Sequence, residues 1–139
     1  MAADRSQHVA EVIGPALSRG EWVVSDRFSG STFAYQGFGR GLDLGGLRNI
    51  SDWASKGLVP ELNVLLDVPA AISAGRRCSL PDRLEAEDAT FHSRVVAGYL
   101  QMARADPGKW AVVDGDGSIE EVAVRVLEAV IKRVGSGHE

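Results

Sequence analysis

Apolar residues recur at Val9, Val12, Ile13, Ala16 and Leu17. This is the i, i+3, i+4 spacing of one helix face, and it predicts a helix over about residues 4–18, closed by Arg19-Gly20. Residues 22–24 (WVV) form a short continuous apolar run, the signature of a strand buried on both faces. A polar, glycine-rich stretch follows over residues 25–46, whose part 28–36 reads as a possible helix opening. Leu44, Leu47, Ile50 and Ala54 then return at helical spacing, and Gly57 ends that helix. Residues 62–68 (LNVLLDV) predict a second buried strand, stopped by Pro69. Residues 70–77 read as a short helix or turn, and 78–81 as a loop broken by Ser-Leu-Pro. Phe91, Val95, Tyr99 and Met102 predict a long helix over about residues 84–104. Asp106-Pro107-Gly108 makes a turn, and residues 110–114 predict a third buried strand. Ser118 and Glu121 form an S-x-x-E capping box. It opens a last helix whose apolar face runs through Ile119, Val122, Ala123, Val126, Leu127, Val130, Ile131 and Val134.

Three short, continuously apolar strands alternating with helices predict an α/β domain with a parallel sheet. Ligands of such sheets bind beyond the carboxyl ends of the strands. Here those ends carry Ser25-Asp26-Arg27, Asp67 and Asp114. Asp67 and Asp114 serve equally well as turn or capping residues.

The chain has 139 residues, one domain's worth, and an average globular composition at 45% hydrophobic and 24% charged. A formal net charge of −4 disfavours a general nucleic-acid binder. No apolar run approaches the ~18 residues of a membrane span, and the charged start MAADRSQHV has no apolar signal-peptide core. The single cysteine, Cys78, has no internal partner, so a reducing cytoplasm is the expected location. His8, His92 and His138 are scattered without metal-ligand spacing.

Asp26, directly after a strand, suits a hydrated magnesium ion, and the adjacent Arg27 suits a bidentate phosphate contact. A plain surface Asp-Arg pair is the alternative. Arg76, Arg77 and Arg83 cluster around a loop and offer positive charge to a transferred phosphoryl group. A solvated basic loop would look the same. The run Gly37-Phe38-Gly39-Arg40-Gly41 is not a phosphate loop, since it lacks the third glycine and follows no strand. No G-x-x-x-x-G-K-[ST], G-x-S-x-G, H-E-x-x-H or C-x-x-C occurs anywhere in the chain.

With these pieces placed, the chain resembles bacterial thymidylate kinase. Ala2-Ala3-Asp4-Arg5 with Gln7-His8 resembles the helix start A-A-D-R-x-Q-H. Residues 22–28 (WVVSDRF) resemble W-V-x-S-D-R-[YF]. Ser31 to Gly37 with Gly39-Arg40 resembles S-x-x-A-Y-Q-G-x-G-R. Pro60-Glu61-Leu62 with Leu66-Asp67-Val68 resembles P-D-L-T-x-x-L-D-V. Asp82-Arg83-Leu84-Glu85 with Phe91, Arg94, Val95 and Tyr99 resembles D-R-x-E followed by F-x-x-R-V-x-x-x-Y. Each motif alone is weak; their joint order over nearly the whole chain is specific.

The resemblance implies a parallel-sheet P-loop NTPase fold of the nucleoside monophosphate kinase type. It implies a single partial kinase domain over residues 1–139, with a lid at about 70–84. The implied activity is phosphorylation of dTMP to dTDP by ATP with Mg2+, in a cytoplasmic enzyme that is homodimeric, with the first helix supplying the contact. That helix's apolar stripe is otherwise core. By the same resemblance Arg5 hydrogen-bonds the thymine ring, and Arg27 holds the dTMP phosphate. Asp26 stands at the magnesium end of the site, reaching the ion through water. Ser31 and Thr32 contact the base, and Tyr35 excludes a ribose 2′-hydroxyl. Arg76 and Arg77 are the catalytic lid arginines over ATP, with Arg83 beside them; Asp82 and Tyr99 lie on the substrate side.

The chain departs from the pattern at its start. The family's first strand, P-loop, helix and second strand are absent ahead of Ala2. Met1 stands where a phenylalanine stacks on thymine. The beginning therefore reads as a truncation or a late start. In the family's sheet the missing strand lies between residues 22–24 and 62–68, so both lose a neighbour. Unpaired buried backbone is costly. The chain alone is expected to fold poorly and not to transfer phosphate. Two other readings compete: a non-catalytic nucleotide-binding or interaction module, and a kinase of a different nucleoside monophosphate.

Overall fold

The computed structural model describes residues 2–69 and 89–135. They fall into two compact units, one of residues 2–59 and 89–99, the other of 60–69 and 100–135. The expected turn at 70–77, the loop at 78–81 and the first residues of the long helix lie outside the described residues. Among the described residues no helix is long and apolar enough to cross a membrane.

The first unit opens with α1 (Ala2–His8), which runs through a π-helical turn (Val9–Ile13) into α2 (Gly14–Ser18). The wide turn has a local cause. Pro15 has no N–H to return to the preceding turn, and the N–H of Gly14 donates to the carbonyl of Val9, five residues back. Val9, Ile13 and Ala16 are buried, whereas Val12 and Leu17 are exposed, so the predicted stripe divides between core and surface.

After Gly20 the structure departs from expectation. Residues 21–25 form no strand, with Trp22 73% and Val24 95% exposed. The predicted buried strand at 22–24 is corrected: among the described residues no strand pairs with it. An apolar run becomes a strand only where a neighbour completes its ladder.

Next come α3 (Ser29–Thr32), a π-helical segment (Phe33–Gly39) and α4 (Leu44–Ser55). Asp43 caps α4, its Oδ2 accepting from the N–H of Gly46 at 2.6 Å. Lys56 closes the helix in the left-handed conformation (φ 54°) and Gly57 follows at φ 76°. α5 (Ala89–Ala105) contributes its first two to three turns to this unit. The core gathers Val9, Ile13, Ala16, Ala34, Ala54, Phe91 and Val95 around the buried Ser51 and Ser55.

In the second unit β1 (Asn63–Asp67) and β2 (Trp110–Asp114) pair in parallel, from Asn63 opposite Trp110 to Asp67 opposite Asp114. The expected second strand is thus trimmed at both ends. Burial on both faces is also corrected: Leu66 is 47% and Val112 50% exposed, because this described sheet has only two strands. α6 (Ile119–Gly135) packs against β2. Its capping box forms as expected, Ser118 N–H donating to Glu121 Oε2 at 2.7 Å and Glu121 N–H to Ser118 Oγ at 3.2 Å. Its apolar face is only partly covered, with Ile119, Leu127 and Ile131 exposed.

Candidate functional site

Seven of the predicted site residues lie in the first unit, and the fold brings six of them into two linked groups. Arg5, in the last turn of α1, reaches across to α3 and the residue before it. Its Nη2 donates to Thr32 Oγ1 at 2.7 Å and to the Phe28 carbonyl at 3.4 Å, and Nη1 donates to Ser51 Oγ at 3.5 Å. The guanidinium also lies over the Phe28 ring, 5.3 Å from its centroid. Partial burial lowers the pKa of Arg5 from its ordinary value, yet it remains a cation. These contacts use part of a five-donor fork and leave donors for a planar acceptor such as a base edge.

The second group surrounds Tyr35, in the π-helical segment. Its ring meets Phe91 at 6.1 Å, tilted, and Tyr99 edge-on at 6.4 Å, both from α5. The Arg27 guanidinium lies over it at 5.3 Å. Tyr99 shares a 2.8 Å hydrogen bond with Ser31 Oγ. Burial pushes the Tyr99 phenol up in pKa; the bond from Ser31 and the nearby Arg27 act against this, and Tyr35 and Asp26 reinforce it. Ser31 and Thr32 are neighbours on α3, which ties the two groups together.

Arg27 sits at φ 68°, in the left-handed region that a bulky side chain seldom adopts. Such backbone costs on the order of 1–3 kcal/mol and clusters at functional sites. Here it follows the exposed segment 21–25 and aims Arg27 at Tyr35, while the Arg27 carbonyl accepts from Ser25 Oγ at 2.9 Å. Asp26 is exposed beside it. Among the described residues no three His, Cys, Asp or Glu side chains group to hold a metal. A hydrated magnesium ion needs only one or two carboxylates plus substrate phosphates, and Asp26 offers one.

Arg76, Arg77, Asp82 and Arg83 lie outside the described residues. In the second unit Asp67 and Asp114 stand side by side at the carboxyl ends of their strands, both exposed. Arg125 donates to the carbonyl of Asp114 at 2.9 Å and to that of Asp116, and pairs with the Asp114 carboxylate at 3.7 Å. Asp114 Oδ1 accepts from the Asp116 N–H at 2.9 Å. Asp114 therefore acts as the turn residue its position allowed.

Sequence reasoning missed Ser51 and the backbone and ring of Phe28 as partners of Arg5. No local signal marks Ser51, which lies 46 residues from Arg5 along the chain. It gave no role to Arg94 or to Phe38, both of which secure the segment carrying Tyr35. Arg94 was visible as part of a motif, and the spacing of Phe91, Arg94, Val95 and Gly98 along one helix face marks a common contact.

Comparison with known proteins gives the family. The thymidylate kinase family profile matches residues 1–126. The chain is 45% identical over 136 residues to a thymidylate kinase of Chromobacterium violaceum, covering 94% of this chain and 64% of that protein. It is 48% identical over 139 residues to one of Solidesulfovibrio magneticus, covering 94% of this chain and 66% of that one. Its fold is similar to the crystal structure of thymidylate kinase from Ehrlichia chaffeensis, with a TM-score of 0.74 at 24% identity, over 93% of this chain and 62% of that one. The chain spans somewhat less than two thirds of the length of these relatives. A profile match across most of the chain, in the company of these relatives and of a shared α/β P-loop NTPase fold, places the protein in the thymidylate kinase family.

Proposed function

We propose that this chain carries the thymidylate-binding part of a thymidylate kinase, which transfers the γ-phosphoryl group of ATP to dTMP, giving dTDP and ADP, with Mg2+ as the cofactor. The observation that carries the reading is the Arg5–Thr32 contact at 2.7 Å, linked through Ser31 to Tyr99 and Tyr35. Arg5 and Thr32 present a charged donor and a hydroxyl to the edge of a pyrimidine. Tyr35 and Tyr99 give the sugar an aromatic wall, and Arg27 stands beside it to take the 5′-phosphate. Asp26 would hold Mg2+ through water, and the ion would neutralise charge on the transferred phosphoryl group. Arg76 and Arg77, with Arg83 nearby, act in a lid over about residues 70–84 as the catalytic cations over ATP, and Asp82 contacts the substrate side. Residues 1–139 thus form one part of a kinase domain. Val12 and Leu17, exposed on the first helical stretch, are available to a homodimer contact, and an ATP-consuming reaction with a lone cysteine fits the cytoplasm.

Phosphoryl transfer is almost entirely positioning and electrostatics, so this division of labour is sufficient for the complete enzyme. The sequence holds no G-x-x-x-x-G-K-[ST] to cradle the ATP phosphates, so residues 1–139 supply the dTMP side of the site and do not turn over by themselves. Calorimetric titration of the chain with dTMP, dUMP and dAMP tests this. The expected order is dTMP first, with dAMP weakest and Arg5→Ala abolishing most of the preference. Equal affinity for dAMP, or dTMP-dependent ADP formation by the chain alone, would refute the respective half of the reading. The same missing motif favours a second reading, a nucleotide-binding module without catalysis, which requires dTMP binding in a full-length protein that does not bind ATP.

A further inference from the structure

The π-helical segment Phe33–Gly39 is held by one face of α5, through residues 91, 94, 95 and 98 at helical spacing. Gly39 is closely packed: a Cβ there would come within 2.7 Å of Phe91 Cε2 and 3.0 Å of Val95 Cγ2. Gly98 admits Phe38 in the same way, with a Cβ at 2.5 Å from Phe38 Cγ. Between these two contacts, Arg94 Nε donates to the Gly39 carbonyl at 2.9 Å. The N–H of that same peptide unit, on Arg40, donates to the carbonyl of Tyr35 at 3.1 Å, five residues back.

One peptide plane therefore links the Arg94 guanidinium to the backbone of Tyr35. The terminal carbonyls of a helix have no partner within it, and a basic side chain is an effective donor to them. A donor on the carbonyl polarises the peptide and strengthens the hydrogen bond its N–H makes. The wide turn that this bond closes sets where the Tyr35 ring stands against Phe91 and Tyr99. Wide turns of this kind recur at functional sites because they re-aim a side chain.

We propose that Arg94 is a positioning residue for sugar selection: by holding the Gly39–Arg40 peptide it fixes Tyr35 in the place that excludes a ribose 2′-hydroxyl. The assignment rests on the reading of Tyr35 given above and goes beyond it, since Arg94 acts through the Gly39 carbonyl. The test compares the chain with its Arg94→Gln, Arg94→Lys and Tyr35→Phe variants. Two quantities are read: amide exchange at Arg40 by NMR, and the affinity ratio of dTMP to ribothymidine 5′-monophosphate by calorimetry.

In Arg94→Gln the Arg40 amide exchanges faster and the ratio falls, each by about fivefold, the worth of one partly exposed charge-assisted hydrogen bond. Arg94→Lys restores part of both. Loss of affinity for the two nucleotides by the same factor marks a merely structural role and overturns the proposal. So does an unchanged ratio in Arg94→Gln when Tyr35→Phe alters it. If the unsubstituted chain fails to prefer dTMP, or Tyr35→Phe leaves its preference intact, the underlying reading of Tyr35 falls and the proposal with it.

Discussion

Gly98→Ala is the sharpest test of how the Tyr35 segment is packed. An alanine Cβ at this position would lie 2.5 Å from Phe38 Cγ and 2.6 Å from its Cβ and Cδ2. Ordinary carbon–carbon contact begins near ~3.5 Å, so roughly 1 Å must be recovered by movement. Turning the phenylalanine ring does not supply it, because Phe38 Cβ is fixed to the backbone. The helix and the π-helical segment must separate instead. Overpacking of this kind costs about 1–3 kcal/mol. Alanine recovers up to about 1 kcal/mol through its better helix propensity. With the full propensity gain the net expectation is a loss of up to about 2 kcal/mol, centred on ~1 kcal/mol. Gly45→Ala is the control: in the first turn of α4 its nearest neighbour is Asp43 Oδ2 at 3.4 Å, so only the propensity gain applies. Urea denaturation followed by far-ultraviolet circular dichroism gives both values. With a slope of about 1–2 kcal/mol/M, the Gly98→Ala midpoint should fall by roughly 1 M. A midpoint at or above that of the unsubstituted chain would refute the packing.

Ser118→Ala removes one half of the capping box and should cost about 1 kcal/mol, read from the same denaturation curves; no loss would mean that the α6 terminus is held by other contacts. The folded-state pKa of Tyr99 is raised, so its contribution is fully present below the unfolded value of 10.0 and is lost as pH rises through the folded one. Stability measured from pH 8 to 12 should therefore decline beyond about pH 10, and Tyr99→Phe should flatten part of that decline; an unaltered slope would contradict the burial of the phenol. The amides of Trp22, Val23 and Val24, without strand pairing among the described residues, should exchange hydrogen within seconds to minutes, far ahead of those in β1 and β2. Protection equal to that of β1 would contradict the unpaired conformation.

Helices and caps were the legible part of this chain because their determinants are local. The 3.6-residue spacing located α4, α5 and α6, the Lys56-Gly57 end of α4 needed only a left-handed turn, and Ser118 with Glu121 announced their own hydrogen bonds. The apolar runs at 62–68 and 110–114 likewise gave the parallel pair, and ordered motifs gave the family. What the sequence could not decide was every property that needs a second segment. The run Trp22-Val23-Val24 is as apolar as β2, yet it stays outside any described sheet, because strand formation depends on a neighbour's N–H and C=O groups. The π-helical widening of Phe33–Gly39 depends on which side chains of α5 meet it. The partners of Arg5 come from positions 23, 27 and 46 residues away, and no spacing rule reaches that far. Sequence by itself determined where the long helices and the paired strands β1 and β2 lie and which side chains are chemically suited to a nucleotide. Tertiary structure decided which of them touch, since contact between distant segments is fixed by packing and long-range hydrogen bonds.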